Sequence, residues 1–96
     1  MSDLKAKIYA ITKDIPEGYV LTYGLLAALA GRPGASRYAA RCMTLSEGDI
    51  PNHRVVNSMG ATAHSWLEQR TMLESEGVTF KKNGNVDLKR HLWQQL

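Results

Sequence analysis

The stretch Thr22-Tyr23-Gly24-Leu25-Leu26-Ala27-Ala28-Leu29-Ala30-Gly31-Arg32-Pro33-Gly34-Ala35-Ser36-Arg37 decides the fold. Thr22 is an N-cap residue type, Tyr23 to Ala30 is a compact Leu/Ala helix, and Gly31 stops it. Arg32-Pro33-Gly34 makes a tight turn, and a second helix opens near Ser36 with Tyr38, Ala39, Ala40, Cys42, Met43 and Leu45 on a mixed apolar face. Two short helices joined by a Gly/Pro turn have the anatomy of a helix-turn-helix, whose second helix is offered to DNA; hairpins that only pack share that anatomy.

Leu4, Ile8, Ile11 and Ile15 predict a helix over residues 3–14, with Ser2 or Asp3 as N-cap and Pro16 beyond its end. Tyr19-Val20-Leu21 reads as a short extended piece, Ser46 to Asp49 as a loop, and Val55-Val56 as a strand or a buried turn. Ser58 to His64 is a loop of small residues. Trp66 to Glu76 reads as a helix with Trp66, Leu67, Met72 and Leu73 on its apolar side and Gly77 closing it. Val78-Thr79-Phe80 and Val86 flank Asn83-Gly84, a hairpin or wing signal, and Asp87 caps a last helix from Leu88 to about Gln95 with Leu92 packing. The expected fold class is mainly α with a small β hairpin, a helix-turn-helix of winged-helix-like type in one domain over 1–96.

The single cysteine, Cys42, excludes an internal disulfide, and His53, His64 and His91 have no metal-type spacing, so neither zinc nor any other cofactor is expected. No window approaches the roughly 20 apolar residues of a membrane span, and the N-terminus lacks a signal peptide's apolar core. A cytoplasmic, nucleoid-associated protein is the expectation. The net charge of +3 names no partner, but its distribution says more: from Gly18 to Ser46 there are three arginines, Arg32, Arg37 and Arg41, and no carboxylate. Arg37 and Arg41, four apart, share a helix face, whereas Cys42 lies about 140° round from Arg37. The arginines are expected outward and the thiol inward.

Ile50-Pro51-Asn52-His53-Arg54-Val55-Val56-Asn57-Ser58 has the frame of a reactive site, with a proline, a turn residue, a histidine and an arginine in succession. A nucleophile beside a histidine base is the pattern for covalent catalysis, and the Asn52 amide is no such nucleophile. Taken alone, the segment predicts binding rather than turnover.

Pro51-Asn52-His53-Arg54-Val55 resembles the Pro-Cys-His-Arg-Val motif of the O6-alkylguanine-DNA alkyltransferase family, and more closely its alkyltransferase-like branch. Ile15 to Gly24, Leu26 to Gly31 and Glu76 to Val78 resemble further family motifs, in family order, so the resemblance spans roughly residues 4 to 80. It implies a phosphate-pressing role for Tyr23, beside Thr22, and a finger role for Arg37, which would fill the gap left by a flipped base. Ala35, Ser36 and Arg41 complete the expected DNA-binding set, Arg41 as a departure that adds positive charge where the transferases tend to have a small residue. Asn52 stands at the alkyl-acceptor cysteine, His53 and Glu76 match the pair that would activate a thiol, and Arg54, Val55 and Ser58 match the pocket floor and the chain leading from it.

The sequence departs from the family in places. Asn52 is smaller and more polar than the tryptophan usual in the alkyltransferase-like branch, and Ala61 to Trp66 replaces the transferases' pocket loop. His64 and Trp66 are either pocket-lining residues or a surface histidine and a core tryptophan. The resemblance implies a monomeric, non-enzymatic DNA-damage sensor that binds duplex DNA containing O6-alkylguanine and marks it for nucleotide excision repair proteins. Two other readings stay open: residual alkyl transfer to Cys42, and a helix-turn-helix DNA-binding domain with no lesion preference.

Overall fold

The computed structural model describes residues 2–46 and 49–94. Helix α1 spans Ser2–Asp14 and stops before Ile15-Pro16, where the proline disfavours helical backbone in the residue preceding it. It begins one residue earlier than its apolar spacing suggests, so both expected caps lie in its first turn and the capping position falls outside the described residues. The chain then forms strand β1, Leu21–Thr22, and helix α2, Tyr23–Leu29. Thr22 caps α2, its hydroxyl oxygen accepting the Leu25 amide at 3.2 Å. Gly31 ends α2 at φ +96°, with Arg32 N–H donating to Ala27 O and Gly31 N–H to Ala28 O, a Schellman closure. The turn delivers helix α3, Ser36–Leu45, which packs on α2 and α1 to complete the helix-turn-helix.

A single 3₁₀ turn, Asn52–Arg54, leads into strand β2, Val55–Val56, which pairs in parallel with β1 in the register Leu21 to Val55 and Thr22 to Val56. Alternation along the strands sends Leu21 and Val55 into a core with Ile8, Ile15, Leu26, Ala39 and Met43 under α1–α3. Val20 and Val56 face the other way, into a second core with Leu73, Val78 and Val86. This small sheet is therefore buried on both faces.

Helix α4, Glu68–Ser75, is shorter than the expected Trp66–Glu76, and its inward face differs. Leu67 is 82% exposed and Met72 37%, whereas Gln69 and Leu73, four apart, are buried. Gly77, at φ +90°, closes α4 with a second Schellman pair, Gly77 N–H to Glu74 O and Val78 N–H to Leu73 O. The wing around Asn83-Gly84 is present as one antiparallel bridge, Phe80 to Val86, so the paired strands of the fold come from β1 and β2 instead of from this hairpin.

Helix α5 covers only Leu88–His91; Leu92 turns extended and bridges Val20, and Trp93 N–H donates to Val20 O. Pairing with the edge of the sheet satisfies backbone that would otherwise continue the helix. The expected end near Gln95 lies outside the described residues, as do Glu47 and Gly48 of the expected Ser46–Asp49 loop. Among the described residues no helix is long and apolar enough to cross a membrane.

Gly60 packs directly against the backbone of Val86 beside the second core. It sits at φ +90°, and a Cβ there would meet Val86 O at 2.8 Å, while its own carbonyl accepts Val86 N–H. Gly60→Ala is expected to cost about 2–4 kcal/mol in urea unfolding from backbone strain plus overpacking. Gly24→Ala, where the added methyl meets nothing within 4 Å beyond its own stretch of helix, stays within about 1 kcal/mol of the parent.

Candidate functional site

The cleft of interest forms where α2, α3, the 3₁₀ turn and α4 converge. Its volume is about 250 Å³, and Asn52 lines it. Tyr23, at the head of α2, forms one wall, and Met43 and Thr44 bring the end of α3 to it. Ala63, Ser65 and Trp66 come from the loop before α4, and Gln69 from α4 itself. Burial raises the Tyr23 hydroxyl above the ordinary phenol range, so it stays a neutral donor.

Helix α3 joins this cleft to the basic face. Arg37 and Arg41 are exposed, and Ala39, Cys42 and Met43 are buried on the opposite side. At roughly 100° per residue, Arg41 and Thr44 lie within about 40° of Arg37 around the helix, and Thr44 is about 10 Å along the axis from it. A single face of α3 thus carries the two arginines at one end and a wall of the cleft at the other. Ala35 is half-buried at the start of α3, Ser36 is exposed, and Thr22 is buried with its hydroxyl oxygen engaged in capping α2.

Behind Asn52 lies an ion-pair network. Arg54 grips the Glu76 carboxylate through Nε at 2.9 Å and Nη2 at 2.8 Å, and its Nη1 donates to Ile15 O at 2.8 Å. His53 Nε2 lies 2.8 Å from the same carboxylate; because a carboxylate only accepts, that nitrogen carries the proton. Burial acts to raise the Glu76 carboxyl, but the hydrogen bonds from Arg54 and His53 outweigh it and hold the group below its ordinary range. The Arg54 guanidinium is raised in turn, chiefly by its hydrogen bond to Glu76. One carboxylate at the end of α4 thereby fastens the 3₁₀ turn, and through Arg54 the end of α1.

Of the residues expected at the pocket, Asn52 lines the cleft, and His53, Arg54 and Glu76 form the support behind it. Val55 has its side chain sealed in the core of β2, and Ser58 sits exposed on a turn; neither lines the cleft. Trp66 does line it, whereas His64 is exposed and faces a neighbouring surface depression. Cys42 is 3% exposed and is not part of the cleft.

Gln69 was not among the expected site residues. Its amide donates to His53 O and Val55 O, both at 3.1 Å, and its oxygen accepts Ala63 N–H at 2.7 Å, pinning the cleft loop to the 3₁₀ turn. Its spacing of four from Leu73 is the signal that places it inward. Met43, Thr44, Ala63 and Ser65 of the lining were not expected either, nor was Ser46: Asn52 Nδ2 donates to its hydroxyl oxygen at 2.9 Å and to Met43 O at 3.3 Å.

The support network generates a pH signature. A carboxyl held below its unfolded value of 4.5 contributes stability that is fully present above that value and is lost as pH falls through the lower folded one. Glu76→Gln is expected to cost about 2–4 kcal/mol near pH 7. The gap between parent and variant in chemical denaturation narrows below pH 4.5; a gap independent of pH down to pH 3 contradicts the assignment.

Residues 3–78 match the family described as 6-O-methylguanine DNA methyltransferase, DNA binding domain. The chain is 42% identical over 92 residues to the DNA base-flipping protein of Escherichia coli K12, covering 91% of this chain and 71% of that one. It is 30% identical over 105 residues to alkyltransferase-like protein 1 of Schizosaccharomyces pombe, covering 98% and 97% respectively. The crystal structure of that S. pombe protein with damaged DNA containing O6-carboxymethylguanine superposes with a TM-score of 0.88 over 99% of this chain and 98% of that one, at 30% identity.

Proposed function

The chain belongs to the 6-O-methylguanine DNA methyltransferase family by its DNA-binding domain, and we propose that it is a non-enzymatic damage sensor for O6-alkylguanine in duplex DNA. The observation that carries this reading is Asn52, an amide in the segment that resembles the family's alkyl-acceptor motif, which lines an open cleft reached along the arginine face of α3. Extruding a base costs a few kcal/mol, less when its pairing is already weakened by damage. Arg37 fills the vacated stack, Tyr23 presses on the neighbouring phosphate, and the cleft receives the extruded base. Arg41 and Ser36 contact the backbone, with Ala35 allowing close approach. The names of the relatives, a base-flipping protein and a protein captured on alkylated DNA, support the same reading.

Chemistry stops at binding. Alkyl transfer needs a nucleophile at the lesion, and the Asn52 amide is none. Cys42 is buried in the core and lines no part of the cleft, which argues against it as a substitute acceptor. His53 and Glu76 therefore serve as a scaffold with no thiol to activate. A complex that does not repair acts by being recognised, so the sensor hands its lesion to nucleotide excision repair proteins. One domain over 1–96 carries both the basic face and the cleft, which suits a monomer working on chromosomal DNA in the cytoplasm.

Titration of matched duplexes, one with a single O6-methylguanine and one with guanine, followed by mass spectrometry, tests this. Tighter binding to the lesion with both masses unchanged is expected; equal binding, or a methyl group moved onto the protein, overturns it. Arg37→Ala lowers lesion affinity by on the order of tenfold to a hundredfold. Arg41→Ala weakens both duplexes alike and reduces the log–log salt slope by about 1.

A further inference from the structure

The loop side of the cleft is held by very little. Ala63, Ser65 and Trp66 supply it, whereas Asn52 comes from the 3₁₀ turn and Met43 and Thr44 from α3. Residues 61–66 are half-buried or exposed, and a second depression of about 290 Å³ shares Ala63 and Trp66 as lining, so open space lies on both sides of the loop. Its backbone bonds are local: Trp66 N–H donates to Ala63 O, and Gln69 N–H to Trp66 O, both at 3.2 Å. Among the described residues, the one further hydrogen bond made by residues 62–66 runs from Ala63 N–H to the Gln69 side-chain oxygen at 2.7 Å. Gln69 carries the tether on to the 3₁₀ turn and β2 through His53 O and Val55 O.

The Gln69 amide has one workable orientation. Carbonyl oxygens only accept and a backbone N–H only donates, so the nitrogen faces His53 and Val55 and the oxygen faces Ala63. Neither an acid nor an apolar chain of the same length can do this: a carboxylate would set acceptor against two carbonyls, and a thioether would leave all three backbone groups without this partner. At 1% exposure, bulk water does not stand in for the amide.

We infer that Gln69 is a positioning residue for lesion recognition, which fixes loop 62–66 against the 3₁₀ turn and so sets the opening of the cleft and its power to tell O6-alkylguanine from guanine. This rests on the reading of the cleft as the lesion pocket. An extruded base is held by contact with both sides, and a wall about 0.5–1 Å too far away forfeits about a quarter to a half of its dispersion contact. A guanine that stays stacked in the duplex draws on none of that contact. A slack loop therefore weakens the lesion complex selectively and lowers the ratio of the two affinities.

The test uses the full chain with O6-methylguanine and guanine duplexes, alongside amide hydrogen exchange by NMR. In the parent, Ala63 N–H is expected to exchange more slowly than the amides of Thr62 and His64, which have no acceptor among the described residues. Gln69→Met, close in length, speeds exchange at Ala63 and lowers the lesion-to-guanine affinity ratio about threefold to tenfold, the equivalent of one hydrogen bond. Gln69→Glu keeps the shape and decides the matter if the methionine variant is unstable. Its ratio is low near about pH 8 and recovers in part toward about pH 5.5, where a protonated carboxyl can again donate to a carbonyl. The parent at the same pH is the reference, which accounts for the His53–Glu76 pair behind the turn. A residue that only stabilised the fold would leave the ratio of the folded variants unmoved at every pH. Ala63 exchanging as fast as its neighbours in the parent, or a ratio that stays at the parent value in the folded variants, overturns the inference and leaves the sensor reading intact. Equal affinity of the parent for the two duplexes overturns both.

Discussion

Parallel pairing of Leu21 with Val55 and Thr22 with Val56 is the constraint on which the rest of the molecule depends. Two residues per strand give few hydrogen bonds, and bringing such distant segments together has an entropic cost. Burial of both faces offsets it, because Leu21 and Val55 belong to one core while Val56, with the preceding Val20, belongs to the other. The register also sets the functional geometry. Thr22 ends β1 and caps α2, which fixes the helix-turn-helix, and the 3₁₀ turn carrying Asn52 runs directly into β2. A slip of one residue would exchange the two faces and move Asn52 away from Tyr23 and Thr44.

On this frame the Glu76 carboxylate acts as a bracket. Arg54 and His53 hold it from the 3₁₀ turn, and Arg54 also reaches the end of α1. A histidine bonded to a half-buried carboxylate is the arrangement expected to orient a base beside a nucleophile. Here the same pair fastens the turn that brings the half-buried Asn52 amide to the cleft. Gln69 does the corresponding work from α4, holding the cleft loop and the 3₁₀ turn with one side chain.

Local chemistry made much of this legible in the sequence. Thr22, Gly31 and Gly77 announce helix ends whose caps form as their residue types dictate, and the spacing of Arg37, Arg41 and Cys42 separates an exposed face from a buried one. Family motifs drew attention to Asn52, His53 and Glu76. Features that depend on tertiary partners were not legible. Gln69 reads as a surface residue until the carbonyls of His53 and Val55 are seen beneath it, and Leu67 and Met72 read as core although nothing packs over them enough to bury them. The residues after His91 carry a helical pattern but pair with Val20, because the open edge of the sheet offers their backbone better partners. Ser58 and Val55 followed the motif in sequence, yet strand alternation and the Asn57 turn direct them elsewhere.

In the proposed mode of binding, one face of α3 extrudes a base into the cleft beside Asn52. The most direct measurement is the fluorescence of 2-aminopurine placed next to O6-methylguanine in a duplex, because this base brightens when its stacking neighbour leaves. Emission is expected to rise on saturation with the protein, and not to rise with an otherwise identical duplex containing guanine. Saturable binding to the O6-methylguanine duplex with no change in emission would contradict it, leaving a protein that docks on the groove without opening it.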